Sequence, residues 1–232
     1  MITELEIALI KNQGDFHPVI DFDPAKEKLF SFDFTNNNKV LGASEIANTA
    51  LFSDYVNRTL NTNGAKFGIG GYMENRTLYR RSELFAGEEA RSIHLGVDIW
   101  GPAGTKVYAA LGGRVHSFAY NDNFGDYGAT IILLHQLDGI AFHTLYGHLS
   151  LADLSKHQEG QYITRGEVVG HFGEPSENGN WPPHLHFQII HELYTKGDYP
   201  GVCKLSESEM YSKNCPDPNL ILTLSNHINK LN

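Results

Sequence analysis

From about Phe67 to Ile190 the chain is a succession of short β-branched and aromatic runs punctuated by glycine-containing turns. Runs with strand character fall at Leu95 to Ile99, Lys106 to Ala109, Arg114 to Tyr120, Ala129 to His135, Ile140 to Leu149, Glu167 to His171 and His184 to Ile190. The turns between or beside them read AGT, LGG, NDNFGDYG, LDG, EG and ENGN. A parallel strand pair needs a crossover of about a dozen residues or more, and this spacing leaves no room for one. The segment is therefore expected to be mainly β, an antiparallel folded sheet or two packed sheets.

The flanks read differently. Near the N-terminus a strand-like FSFDF (Phe30 to Phe34) precedes a helix expected from Ser44 to Leu60, with Ile46, Ala47, Ala50, Leu51, Val56 and Leu60 roughly on one stripe. Ser44 suits its start and Gly64 follows its end. After Ile190, CPDPN signals a turn or cap, and Leu220, Ile221, Leu224 and Ile228 form a short helical pattern expected to pack on the sheet. The chain thus divides into an N-terminal α/β appendage (1–66), a β core (67–191) and a C-terminal tail (192–232).

Charge and cysteine content narrow the function. Eighteen basic against 27 acidic residues give a net charge of −9, which lacks the electrostatic footprint of a nucleic-acid or anionic-membrane binder. No apolar run approaches the roughly 18 residues of a membrane span, so none is expected. Glu4 and Glu6 stand where an export leader carries positive charge, and the apolar run Ile7 to Ile10 is short. Cytoplasmic placement is expected if this start is native, and periplasm or cell envelope otherwise. The two cysteines, Cys203 and Cys215, are expected to stay reduced, or to form one clip in an exported protein.

Twelve histidines occur, and 10 of them lie from His94 to His191, a density that asks for a chemical reason. His116, His135, His143, His157 and His171 carry no motif and read as surface or hydrogen-bonded strand residues. PPHLHF is different. On a strand, His184 and His186 project from one face while Leu185 and Phe187 project from the other, and paired imidazoles suggest a metal. Upstream, HLGVDIW separates His94 from Asp98 by three residues. Gly96, Val97, Ile99, Gly101 and Pro102 argue for extended structure, in which residues four apart lie about 13 Å from one another. Sharing one ion therefore requires a bend, expected at His94 to Gly96. A third element, FHTLYGHLS, places Thr144, Tyr146 and His148 on one face by alternation, with His143 opposite.

The ordered set HLGVD, YGHL and HLHF resembles the lysostaphin-type, or LytM-like, zinc metallopeptidases. The similarity extends to PAGTKVYAALGGRV, GDYGATIILLH and EGQYITRGEVVGHFG, and covers roughly His94 to Ile190. The resemblance implies a folded β-sheet peptidase core, one zinc held by His94, Asp98 and His186, and catalytic roles for His148 and His184 beside the open coordination position. Two neutral imidazoles and a carboxylate leave zinc a net positive Lewis acid able to activate water. Either His148 or His184 suits the task of taking the water's proton, the other steadying the oxyanion.

The implied activity is a zinc metallo-endopeptidase that hydrolyses amide bonds, with peptidoglycan cross-links as the family's usual substrate. An intracellular zinc amidohydrolase with another peptide substrate is the alternative, and the tail GDYPGVC with NCPDPNLIL resembles modules embedded in cytosolic multidomain proteins. A non-catalytic module of the same fold would have lost ligands, and all five expected residues are present. Departures from the family are Trp181 and a second proline before HLHF, and the lack of a tyrosine between Tyr79 and His94. Tyr72, Tyr79, Arg80 and Arg81 are candidates to replace that tyrosine.

Overall fold

The structure, a computed structural model, describes residues 2–87 and 89–228, without the side chain of Arg80. Among the described residues there are twelve strands: β1 (Lys28–Phe32), β2 (Ala65–Gly70), β3 (Ile93–His94), β4 (Val97–Trp100), β5 (Lys106–Tyr108), β6 (Gly113–Asn121), β7 (Gly128–Leu137), β8 (Ile140–Leu149), β9 (Tyr162–Ile163), β10 (Val168–His171), β11 (His184–Ile190) and β12 (Val202–Cys203). Eight build one sheet in the order β1-β2-β4-β11-β8-β7-β6-β9, and β5–β10 and β3–β12 form two short antiparallel pairs. The fold is mainly β and antiparallel, as the spacing of the runs requires.

One pair, β1–β2, is parallel. Its connection runs through two helices, α2 (Ala43–Ala47) and α3 (Thr49–Thr62), which follow a short N-terminal α1 (Glu4–Lys11). The N-terminal region thus has the crossover that the later runs have no room for. The single helix expected over Ser44 to Leu60 is divided in two. Asn48 adopts extended backbone and its side chain accepts from the Leu51 N–H, so it caps a new helix rather than continuing the old one. The buried stripe of α3 is Phe52, Val56 and Leu60, while Leu51 faces solvent.

Alternation along the central strands separates two hydrophobic layers. Val97 and Ile99 of β4, Ile131 and Leu133 of β7, Tyr146 of β8 and Leu185, Phe187 and Ile189 of β11 form the main core, joined by Leu5 and Leu9 of α1 and by Ile221, Leu222 and Leu224 of the tail. On the opposite face Trp100 meets an aromatic cluster that includes Phe32, Phe34, Phe52, Tyr79 and Trp181. Phe52 of α3 lies 5.8 Å from Trp100 and 6.3 Å from Trp181, so the N-terminal region supports the side chains around HLHF. No helix among the described residues is long and apolar enough to cross a membrane.

His135 on β7 shows what a histidine outside the central motifs does. Its ring is 2% exposed, spanning the Gly112 carbonyl at 3.0 Å and the Thr144 hydroxyl at 2.7 Å. Burial pushes its pKa down to about 4. The folded state therefore resists a proton that the unfolded chain accepts below about pH 6.5. Stability from this residue is intact above that pH and falls by up to about 3 kcal/mol as pH drops to 4. Urea unfolding in chelator at pH 7.5 and 4.5 should show a smaller pH-dependent loss for His135→Gln than for wild type; equal losses would refute the assignment.

Candidate metal centre

The centre of the sheet sets the positions. Gly70 of β2 pairs with Asp98 of β4, Asp98 pairs with His186 of β11, and His186 pairs with Gly147 of β8. Four cross-strand neighbours on one face thus read Gly, Asp, His, Gly. The glycines leave space that larger side chains occupy: a Cβ at Gly70 would lie 2.5 Å from the Arg76 guanidinium, and one at Gly147 would lie 2.7 Å from the Tyr127 ring. His184 and Gln188 share this face with His186, while Leu185 and Phe187 point into the main core.

His94 reaches the row through the expected bend. The chain leaves β3, turns at Leu95 and Gly96 and enters β4, which brings His94 Nε2 to 3.2 Å from Asp98 Oδ1. Gly96 is needed for space as well as for the bend. A Cβ there would lie 2.5 and 2.6 Å from His186 ring atoms and 2.8 Å from the Phe187 carbonyl oxygen.

His148 departs from the expected alternation. Tyr146 packs in the main core, 5.2 Å from Phe187, and Thr144 bonds His135, so these two do not share a face with His148. The β7–β8 register shifts between Tyr146 and Leu149, giving β8 one extra residue, and His148 takes a left-handed backbone with φ 61°. This bulge turns the imidazole onto the face of His184 and His186. Such a conformation costs a non-glycine residue on the order of 1 kcal/mol or more, and surrounding bonds must hold it. The His148 N–H donates to the Tyr127 carbonyl (2.8 Å) and Nδ1–H donates to the Asn178 carbonyl (2.9 Å).

Three potential donors converge. His94 Nε2 and His186 Nδ1 are 3.0 Å apart, His186 Nδ1 and Asp98 Oδ1 are 3.1 Å apart, and His94 Nε2 and Asp98 Oδ1 are 3.2 Å apart. Zinc bound tetrahedrally at about 2.0 Å from each donor has donor–donor edges of roughly 3.3 Å, so this set fits one such ion. Among the described residues it is the one group of three or more His, Cys, Asp or Glu that could hold a metal. The outer ring nitrogens have their own partners. His94 Nδ1–H donates to the Gly71 carbonyl (2.9 Å) and His186 Nε2–H donates to Gln188 Oε1 (2.8 Å), which turns both lone pairs inward.

Charge is balanced within the same shell. Arg76 is 2% exposed, and its guanidinium donates to Asp98 Oδ2, to Glu74 Oε2 (2.7 Å) and to the Tyr79 hydroxyl (3.2 Å). Burial alone would raise the Asp98 pKa, but His94 and Arg76 outweigh it and hold the carboxyl well below its usual range. Burial pushes His94 down to about 4, so at neutral pH its ring is a neutral imidazole beside an ionised Asp98.

Beside this triangle stand the other two imidazoles. His184 Nδ1–H donates to the Pro182 carbonyl (2.7 Å), and its ring stacks on Trp100 at 3.9 Å. The His148 and His184 rings lie 4.0 Å apart. In both, the anchored Nδ1–H leaves Nε2 as the basic nitrogen, and burial lowers both pKa values, that of His184 to about 4. His148, His184, His186 and Asp98 line one cavity of about 140 Å³ with Tyr79, Trp100, Tyr127 and Trp181 among its walls. His116, His135, His143, His157 and His171 lie outside it.

Of the residues considered as replacements for the absent tyrosine, Tyr79 reaches the cavity, with its ring 6.4 Å from His94. Tyr72 donates to the Cys215 carbonyl instead, and Arg81 stacks 4.6 Å from Trp181 while donating to Thr49. The Arg80 side chain lies outside the described residues. Sequence reasoning missed Arg76, Tyr127 and Gln188. Arg76 stands in GIGGYMENRTLYRR and Tyr127 in GDYG, segments without a chemical spacing of their own, and Gln188 follows the second histidine at the period that keeps it on the same face.

Residues 92–198, just under half of the chain, match the model of Peptidase family M23, which bears out the resemblance to lysostaphin-type peptidases. Among solved structures, the chain is similar to the catalytic domain of the antimicrobial peptidase lysostaphin from Staphylococcus simulans, at 20% identity and a TM-score of 0.40, covering 69% of this chain and 97% of that one. It is also similar to Helicobacter pylori Csd3 (23% identity, 53% of this chain and 33% of that one, TM-score 0.34). A zinc containing peptidase from Vibrio cholerae matches at 26% identity over 42% of this chain and 27% of that one, with a TM-score of 0.33. The chain spans less than half the length of the first solved structures it matches. No curated protein matches it.

The crowding at Gly96 makes a specific prediction. Gly96→Ala should push against His186, destabilising the fold by about 1–3 kcal/mol and weakening zinc binding. Thermal melts in chelator and zinc competition titrations check the two effects, and wild-type values in both would show that the ring has room to move.

Proposed function

We propose that the chain is a zinc-dependent metallo-endopeptidase that hydrolyses peptide bonds, with peptidoglycan cross-links as its substrate. His94, Asp98 and His186 would hold the ion, and His148 and His184 would manage the proton. The observation that carries this reading is the pairing of a converged His, Asp, His triangle with two further imidazoles in the cavity that Asp98 and His186 line. Neutral imidazole and carboxylate donors suit zinc, and three protein ligands leave a position open to water and substrate. When bound, zinc supplies Lewis acidity that lowers the pKa of water and polarises a carbonyl.

The chain's own residues supply the rest. His148 and His184 are neutral at pH 7, and each presents Nε2 while its Nδ1–H is tied to a backbone carbonyl. One ring accepts the proton of the attacking water, and the same ring can deliver it to the leaving amine. The other, 4.0 Å away, turns a bare Nε2 to the same cavity and can accept a hydrogen bond from the attacking water or from the substrate N–H. Trp100 stacked on His184, and Asn178 bonded to His148, hold both rings in place without rotamer search. Arg76 keeps Asp98 ionised and occupies its second oxygen, so one oxygen faces the two ligand nitrogens.

Mass spectrometry of products from zinc-loaded protein, with purified peptidoglycan and with short glycine-containing peptides, tests the reading. New peptide termini from wild type, absent with His148→Ala, are expected. His148→Ala should keep its zinc and lose turnover by roughly 10² to 10⁴, whereas His186→Ala should lose zinc affinity. Cleavage of peptides but not of wall material would retain the peptidase and favour an intracellular amide substrate. Full turnover in His148→Ala would remove that ring from the mechanism.

A further inference from the structure

The partner of His186 is itself held by a part of the chain beyond residue 198, where the family match ends. Gln188 is fully buried on β11. Its Oε1 accepts from His186 Nε2–H at 2.8 Å, and its amide nitrogen donates to the Pro200 carbonyl (3.2 Å) and to Cys215 Sγ (3.4 Å). These partners decide which way the amide faces. Two acceptors on the tail side take both N–H donors, so the carbonyl oxygen must face the imidazole.

The consequence reaches the metal donor. Two oxygens compete for the ring proton of His186: Gln188 Oε1 is 2.8 Å from Nε2 and Asp98 Oδ1 is 3.1 Å from Nδ1, so the Gln188 carbonyl is what draws the proton to Nε2 and frees Nδ1 toward His94 Nε2 and Asp98 Oδ1. With the amide reversed, an N–H would face Nε2, the proton would move to Nδ1, and the ligand nitrogen would be blocked. Cys215 is anchored for this purpose at zero exposure: its carbonyl accepts from Tyr72, and its N–H donates to the Tyr211 carbonyl. Pro200 precedes β12, which pairs with the strand carrying His94.

We infer that Gln188, held by Pro200 and Cys215, is a positioning residue that fixes His186 in the Nε2–H tautomer, and that the tail through Cys215 is thereby part of the metal centre. This rests on the reading of His186 as a ligand through Nδ1. A cysteine thiol serves here as a neutral acceptor inside an apolar cluster with Tyr127, Ile132, Leu145 and Ile190, a role that needs no disulfide.

The test reads the tautomer and the metal separately from activity. Side-chain ¹⁵N NMR of zinc-free wild type should show His186 protonated at Nε2. Gln188→Met, similar in size but lacking the amide, should populate the Nδ1–H form and weaken zinc binding about 10- to 100-fold by competition titration. Gln188→Glu, which keeps an acceptor facing the ring, should restore the tautomer and most of the affinity. Cys215→Ala should give an intermediate loss of affinity, with melting in chelator confirming that it folds. A Gln188→Met protein with the wild-type tautomer and zinc affinity would overturn the inference, as would wild-type affinity in folded Cys215→Ala if the Met variant does not fold. Absence of zinc binding by wild type itself would instead overturn the ligand assignment on which it rests.

Discussion

The pairing of Asp98 with His186 across β4 and β11 is the constraint from which the rest of the site follows. In an antiparallel sheet, a one-residue slip between these strands would send one of the two side chains into the core. The register is held by the opposite face, where Val97, Ile99, Leu185 and Phe187 are packed without solvent exposure or nearly so. The same alternation therefore builds a hydrophobic layer and a polar row. Apolar burial on one face sets the position of the donors on the other.

Burying a carboxylate, a guanidinium and four imidazoles would be costly if their hydrogen bonds were unmet. The outward-facing polar atoms of these groups have identified partners, which come from separated parts of the chain. Arg76 and the Gly71 carbonyl precede the family-matched segment, Asn178 and the Pro182 carbonyl belong to the loop before β11, and Gln188 is held from the tail. The centre is thus stabilised by segments on both sides of the HLGVD to HLHF span. Its aromatic wall depends on the N-terminal α3 as well, through Phe52 against Trp100 and Trp181.

Much of this was legible. The seven strand runs, their antiparallel pairing, the shared face of His184 and His186 and the bend after His94 all come from local chemistry, because side-chain alternation and glycine placement act within a few residues. The break at Asn48 was less so, since the apolar stripe continues across it while a capping bond ends the helix. His148 stood among the candidates, but the alternation expected for its face does not hold. A bulge arises from the match between two strands, and neither strand alone encodes it.

Sequence by itself determined which residues carry the chemistry proposed for the site: three spaced motifs, five side chains and a strand period that orients the last pair. Tertiary structure decided what surrounds them. Arg76 beside Asp98, Tyr127 over Gly147, and Cys215 behind Gln188 are separated from their partners by 22, 20 and 27 positions, as the intervening numbering shows. No local period relates such residues. Their meeting depends on register, on space left by glycine and on the order of strands in the sheet, which exist only once the chain has closed on itself.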